Sequence, residues 1–273
     1  MLSKNQIKLI KSLETKKNRK REGLFVAEGP KVVGDLLRAG FLPHSIYCSS
    51  EWLEARGERN VQRSTFNVQC STFNVQCSMF NVQCSTFNVT SEELRRISFL
   101  QHPQEVLALF HIPKSNHNSQ FSILNSQLAL ALDGVQDPGN VGTIIRMADW
   151  FGITNIFCSP DTADVYNPKV VQATMGSLAH VTITYCDLVP LLREANVPIY
   201  GTLLDGEDIY QQTLSDKGII VMGNEGNGIS PEVRQLVTNK LLIPNFNKNH
   251  ETAESLNVAI ATAITLSEFK RRF

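Results

Sequence analysis

With 273 residues and 26 Lys and Arg against 26 Asp and Glu, the chain is formally neutral, and its 42% hydrophobic and 19% charged content are ordinary for a soluble globular protein. That length is enough for one large or two modest domains with a real core. No run approaches the roughly 20 apolar residues of a membrane span, and the start, MLSKNQIKLIKSLETKK, lacks the apolar stretch of a secretory signal, so the expected location is the cytoplasm.

Neutrality hides an uneven distribution. Between Lys4 and Arg21 stand Lys4, Lys8, Lys11, Lys16, Lys17, Arg19, Lys20 and Arg21, against the single acid Glu14. Such a cluster either supplies phosphate contacts or forms a solvated helix face, and the stretch alone leaves both open. A basic helix over about Asn5 to Lys17 is expected first. GLFVAEGPKVVGDLLRAG then reads as a strand and a helix ending at Gly40, and HSIYCSS as the next strand.

From Ser64 to Thr90 runs a seven-residue unit repeated nearly four times, STFNVQC STFNVQC SMFNVQC STFNVT. Phe, Val and Cys fall at alternate positions, which is strand periodicity, but an odd-numbered unit changes register at every boundary. The expectation is a tandem duplication inserted in a loop, structural filler with an aggregation hazard. Three of the six cysteines, Cys70, Cys77 and Cys84, belong to that repeat; with Cys48, Cys158 and Cys186 they form no CxxC pair. They read as free thiols, and no metal site is expected. A helix SEELRRISFL and a strand EVLALFHI close this first part. A polar stretch over 114–127 reads as the linker between an N-terminal domain, 1–113, and a C-terminal one, 128–273.

Beyond Leu128 the apolar runs LALALDGV, NIFCS, HVTITY, PIYGTLL, GIIVMG and KLLIPN alternate with helix-like stretches. This is the pattern of an α/β domain with a parallel sheet, whose ligands bind outside the carboxyl ends of the strands. Three segments lie at such ends. In DPGNVGTIIRMADWFG, Asn140 is placed to cap a helix that buries Val141, Ile144, Ile145 and Ala148, and Arg146 lies off that stripe as a phosphate grip or a surface partner of Asp149. In IVMGNEGNGISPEV, Gly223 to Gly228 form a Gly-rich turn carrying Glu225, and Pro231 starts a helix. The pattern is not GxGxxG, which argues against a nicotinamide-dependent enzyme. In LLIPNFNKNHETAESLNVAIATA, a polar stretch leads to Ser255 and Asn257, either of which can cap a long helix with an apolar stripe of Leu256, Ile260, Ala263 and Ile264.

In this order and spacing the three segments resemble the motifs of the SpoU/TrmH family of RNA ribose 2'-O-methyltransferases, within the SPOUT superfamily, over Leu128 to Arg272. The basic start through EGLFVAEGPKVVGDLL resembles that family's RNA-binding N-terminal domain. The resemblance implies a deep trefoil knot in the C-terminal domain, a homodimer and S-adenosyl-L-methionine as cofactor. It assigns catalytic roles to Asn140, Arg146, Glu225, Ser255 and Asn257, and cofactor contacts to Thr202, Leu203, Gly223, Ile243 and Leu256. Phosphate contacts fall to Lys16, Lys17, Arg19, Lys20 and Arg21. The implied substrate is structured RNA, ribosomal favoured over transfer; a non-catalytic ribosome-assembly protein is the alternative. The segment between Pro244 and Glu254 is longer than the family pattern, which bears on the cofactor loop.

Overall fold

The computed structural model describes residues 2–54, 73–77, 82–113, 127–247 and 255–273. The expected linker lies outside them except for Gln127, as do much of the repeat and the later part of the 244–254 segment. The chain forms two compact units, Met1–Pro113 with Tyr166–Ala179, and Lys114–Val165 with His180–Phe273.

The first unit opens with two helices, α1 (Lys4–Ser12) and α2 (Lys16–Glu22), where the basic spacing predicts one. Ser3 and Gln6 form a capping box on α1, and the chain then dips so that Ile10 and Leu13 are fully buried. Arg19 explains the break and overturns its assignment as a phosphate grip. It is 1% exposed, and its Nη1 donates to the carbonyls of Leu13 at 2.8 Å and Glu14 at 2.7 Å. The guanidinium thus satisfies carbonyls that the end of α1 leaves open. Arg19→Met, which keeps the apolar stem, is expected to lower unfolding free energy by about 1–3 kcal/mol in chemical denaturation, the cost of stranding those acceptors.

Five strands build the first sheet: β1 (Leu24–Glu28), β2 (Pro43–Cys48), β3 (Phe73–Cys77), β4 (Val82–Asn88) and β5 (Val106–His111), in the order β1-β5-β2-β4-β3. Strand β4 spans the junction of the third and final copies of the repeat. It pairs in parallel with β2 from Ser45↔Ser85 to Cys48↔Asn88, its Cys84 and Thr86 are buried, and Phe87 stacks on Tyr47 with centroids 5.0 Å apart. The expectation that 64–90 is a loop insertion therefore fails for Phe73–Cys77 and Val82–Asn88, which are strands of the sheet. Helices α3 (Pro30–Arg38) and α4 (Ser91–Ile97) follow β1 and β4. Residues 166–179, which include α6 (Pro168–Ala173), join this unit, with the Tyr166 ring 4.8 Å from that of Phe25.

The second unit is the expected parallel α/β sheet. Its strands are β6 (Leu128–Asp133), β7 (Asn155–Cys158), β8 (Thr182–Tyr185), β9 (Ile199–Asp208), β10 (Gly218–Gly223) and β11 (Asn239–Leu242), ordered β11-β9-β10-β6-β7-β8. Every pairing between neighbours is parallel. Ala129, Ala131, Ile219 and Val221 pack with Leu188, Leu191 and Leu192 of α7 (Leu188–Arg193) and Val233 of α8 (Pro231–Arg234). Helix α5 (Pro138–Trp150) packs on the C-terminal α9 (Val258–Arg271). From β6 the chain moves to β7 and β8 on one side, then crosses to β9 and β10 on the other. The strand order therefore switches between β6 and β10, and a ligand crevice is expected outside their carboxyl ends. Among the described residues no helix is long and apolar enough to cross a membrane.

The buried face of α9 differs from the expected stripe. It carries Val258, Ala259, Thr262, Thr265, Leu266 and Phe269, whereas Leu256 and Ile260 are 51% and 52% exposed. The Thr262 hydroxyl is satisfied there because its Oγ1 donates to the Val258 carbonyl within the helix, at 2.7 Å. That leaves the more apolar side chains free for another surface.

Candidate functional site

The turn after β6 and the turn after β10 meet at the switch point. Helix α5 is capped by Asp137, whose carboxylate accepts from Asn140 N at 2.8 Å, with Pro138 in the first helical turn. This corrects the expectation that Asn140 is the cap. Proline suits the first helical position, so the capping role falls on the residue before it. The Asn140 amide is thereby released for other work.

Its Nδ2 donates to Glu225 Oε1 at 3.0 Å and its Oδ1 accepts from Asn257 Nδ2 at 3.0 Å. Asn257 caps α9, its Oδ1 accepting from Ala259 N at 2.9 Å and Ile260 N at 3.3 Å. The order of donors follows from that cap. An Asn257 oxygen committed to two N–H groups leaves only its NH2 for Asn140, and Asn140 must then turn its own NH2 to the carboxylate. Glu225 also accepts from the backbone N–H of Gln136 at 3.2 Å and Asp137 at 3.3 Å. Burial works to raise the Glu225 pKa, but the bonds from Asn140 and the backbone outweigh it and hold the group below the usual glutamate value. Glu225 is a fixed anion here, not a proton donor.

One hydrogen-bonded chain, Asn257–Asn140–Glu225, thus joins side chains from all three motifs. Arg146 and Ser255 stand outside it, both exposed. Asp149 does not serve as the Arg146 partner: it accepts from His180 Nδ1 at 3.1 Å. No hydrogen bond or ion pair joins Arg146 to another described residue. Of the basic candidates, Lys16, Lys17, Lys20 and Arg21 are exposed and Arg19 is not. No cluster of three or more His, Cys, Asp or Glu suited to a metal occurs among the described residues.

The cofactor candidates border a gap between strand ends. The β10–β6 ladder runs to Gly223↔Asp133, but the β10–β9 ladder stops at Val221↔Gly201. On its other edge β9 shifts register, from Gly201↔Lys240 to Glu207↔Leu241, so residues 202–206 form a bulge within the strand. Thr202 and Leu203 stand on that bulge, Gly223 ends β10, and Ile243 follows β11. Backbone N–H and C=O groups beyond the ladder's end suit a ligand held chiefly by main-chain contacts, which fits S-adenosylmethionine. Gly223 lies close against the next turn: a Cβ there would sit 2.3 Å from the Gly228 carbonyl carbon and 2.4 Å from Ile229 N. Leu256, two residues before α9, is half exposed near the Asn257 cap. Sequence reasoning missed Asp137 and Asn224. The Asp-Pro step before the helix was the available signal for the first, and an Asn opening a Gly-rich turn for the second.

The SpoU rRNA Methylase family profile matches residues 127–267, and the MRM3-like substrate binding domain matches residues 4–108. The 23S rRNA (guanosine(2553)-2'-O)-methyltransferase RlmP of Bacillus subtilis is 29% identical over 268 residues, covering 96% of this chain and 95% of its own. A protein of Porphyromonas gingivalis assigned as an RNA methyltransferase of the TrmH family is 39% identical, with a TM-score of 0.80 over 100% of both chains. An AdoMet-bound rRNA methyltransferase from Sinorhizobium meliloti is 28% identical, with a TM-score of 0.81 over 100% of this chain and 97% of that one. The chain belongs to the SpoU rRNA methylase family.

Proposed function

We propose that this protein is an enzyme that transfers a methyl group from S-adenosylmethionine to a ribose 2'-hydroxyl of ribosomal RNA. The observation that carries the reading is the Asn257–Asn140–Glu225 chain, formed beside the strand-end crevice in a member of this family. The bound cofactor supplies an electrophilic methyl group and leaves as S-adenosylhomocysteine. The protein's part is to align the ribose oxygen, exclude water and stabilise charge on that oxygen. Glu225 and Asn140 fix the start of α5, and Asn257 and Ser255 line the side where nucleotide meets cofactor. The Arg146 guanidinium grips a phosphate or the developing alkoxide and does not take the hydroxyl proton, which leaves by another route. Ribosomal RNA is preferred to transfer RNA because RlmP of Bacillus subtilis, matched over 95% of its length, is a 23S rRNA methyltransferase.

The N-terminal unit holds the RNA through Lys16, Lys17, Lys20 and Arg21. Reversing these four charges to Glu is expected to weaken RNA binding at least about tenfold and to flatten its dependence on salt, as fewer counterions are released. Cofactor affinity should not change; an unchanged RNA salt slope would remove the patch from the interface. A homodimer in the cytoplasm completes the reading, with Leu256, Ile260, Ala263 and Ile264 as an apolar stripe for the second copy, and a trefoil knot gathers the cofactor loops. The direct test is transfer of labelled methyl from S-adenosylmethionine into RNA of a strain lacking the gene. Recovery of a 2'-O-methylnucleoside in the rRNA fraction is the expected result. Cofactor binding without transfer to any RNA fraction, partly assembled ribosomes included, would refute it.

A further inference from the structure

The turn that presents Glu225 is organised by its neighbour. Asn224 N donates to the Gly228 carbonyl at 2.9 Å and Gly228 N returns a bond to the Asn224 carbonyl at 3.0 Å, closing the turn. The Asn224 side chain does two further things at once. Its Oδ1 accepts from Gly226 N at 2.9 Å and Asn227 N at 3.0 Å, folding the turn from within. Its Nδ2 donates to the Gly134 carbonyl at 2.7 Å, fastening the turn to the segment that leads from β6 to Asp137 and Asn140. A second tie lies next to the first, from Ser230 N to the Asp133 carboxylate at 2.7 Å. The fit leaves little slack: Gly134 has φ +71°, and a Cβ there would sit 2.9 Å from Asp161 Oδ2 and 3.7 Å from the Asn224 Cβ.

We propose that Asn224 is a positioning residue for methyl transfer, holding the Glu225 carboxylate against Asn140 and the N–H groups of Gln136 and Asp137 without touching either reactant. This rests on the reading of Glu225 as a site residue. The chemistry of the position selects asparagine: one short side chain must accept two N–H groups and donate one. Aspartate keeps both acceptor bonds but offers the Gly134 carbonyl no donor, and it sets a second negative charge beside Glu225. Alanine strands all three groups.

The test is a double-mutant cycle in the full chain, with Asn224→Ala and Glu225→Gln, followed by kcat on the RNA substrate and by cofactor Kd. Each single variant is expected to lower kcat about 10- to 100-fold, with a smaller change in cofactor Kd. The double variant should be no worse than the weaker single to within about twofold, because both substitutions break the same alignment. Asn224→Asp guards against a folding artefact: it should retain the wild-type melting temperature within a few degrees and still lose kcat. Additive losses in the cycle overturn the proposal, as does a folded Asn224→Asp with wild-type kcat. Full activity in Glu225→Gln would instead sink the site reading, and this inference with it.

Discussion

Arg146→Ala is expected to lower methyl-transfer turnover by about 100- to 1000-fold while leaving the melting temperature and cofactor affinity unchanged. The size follows from what such a group does: a preorganised donor aimed at charge that develops during reaction contributes about that factor when removed. The absence of a stability cost follows from the structure. Arg146 is exposed on α5 and bonded to no other described residue, so truncation strands no buried partner. Its neighbours Ile144 and Ile145 are fully buried and hold the helix in place without it. Arg146→Lys separates two modes of action. Lysine keeps the charge but not the planar fork, so a bidentate grip on phosphate or alkoxide predicts partial recovery. Full recovery would mean that charge alone matters. An Arg146→Ala protein with wild-type turnover would remove Arg146 from the chemistry altogether.

How far the site was legible depended on how local its determinants are. The strands of the second unit could be read as apolar runs because a parallel strand is covered on both faces, and LALALD and GIIVMG are buried throughout. The cap of α5 is locally encoded but lies three residues before the expected Asn140: Asp137-Pro138 fixes it, and only with that fixed is Asn140 free to reach Glu225. That Asn140, Glu225 and Asn257 bond to one another is not written in any of the three motifs. It needs β10 placed beside β6, a pairing across some 90 residues of sequence. The basic stretch misled in a different way. Helix propensity runs on through LETKKN, and nothing local marks Arg19 as the one cation of its cluster that turns inward to the Leu13 and Glu14 carbonyls. In the repeat, near-identical copies carry the same pattern, so no periodicity can tell the copy paired with β2 from the others.

The second large effect separates two glycines of one turn. Gly223→Ala is expected to abolish measurable cofactor binding, weakening it by more than about 100-fold, and to lower the melting temperature. The new methyl would lie 2.3 Å from the Gly228 carbonyl carbon, 2.4 Å from Ile229 N and 2.6 Å from the Gly228 oxygen. All three are main-chain atoms, held by the Asn224–Gly228 bonds on one side and by the buried Ile229 on the other. Relief requires pushing the turn away from the end of β10, which costs about 1–3 kcal/mol or more and opens the crevice where the β9–β10 ladder stops. Gly226→Ala is the control, three residues on. Its Cβ would meet only Asn224 Oδ1 at 3.6 Å, an ordinary contact, and the residue is exposed. That variant should bind cofactor and melt like the wild type, by titration calorimetry and thermal denaturation. If Gly223→Ala bound S-adenosylmethionine as tightly as Gly226→Ala does, the strand-end gap beside Gly223 would not be the cofactor site. Thr202, Leu203 and Ile243, which border the same gap, would lose that structural support for their assignments.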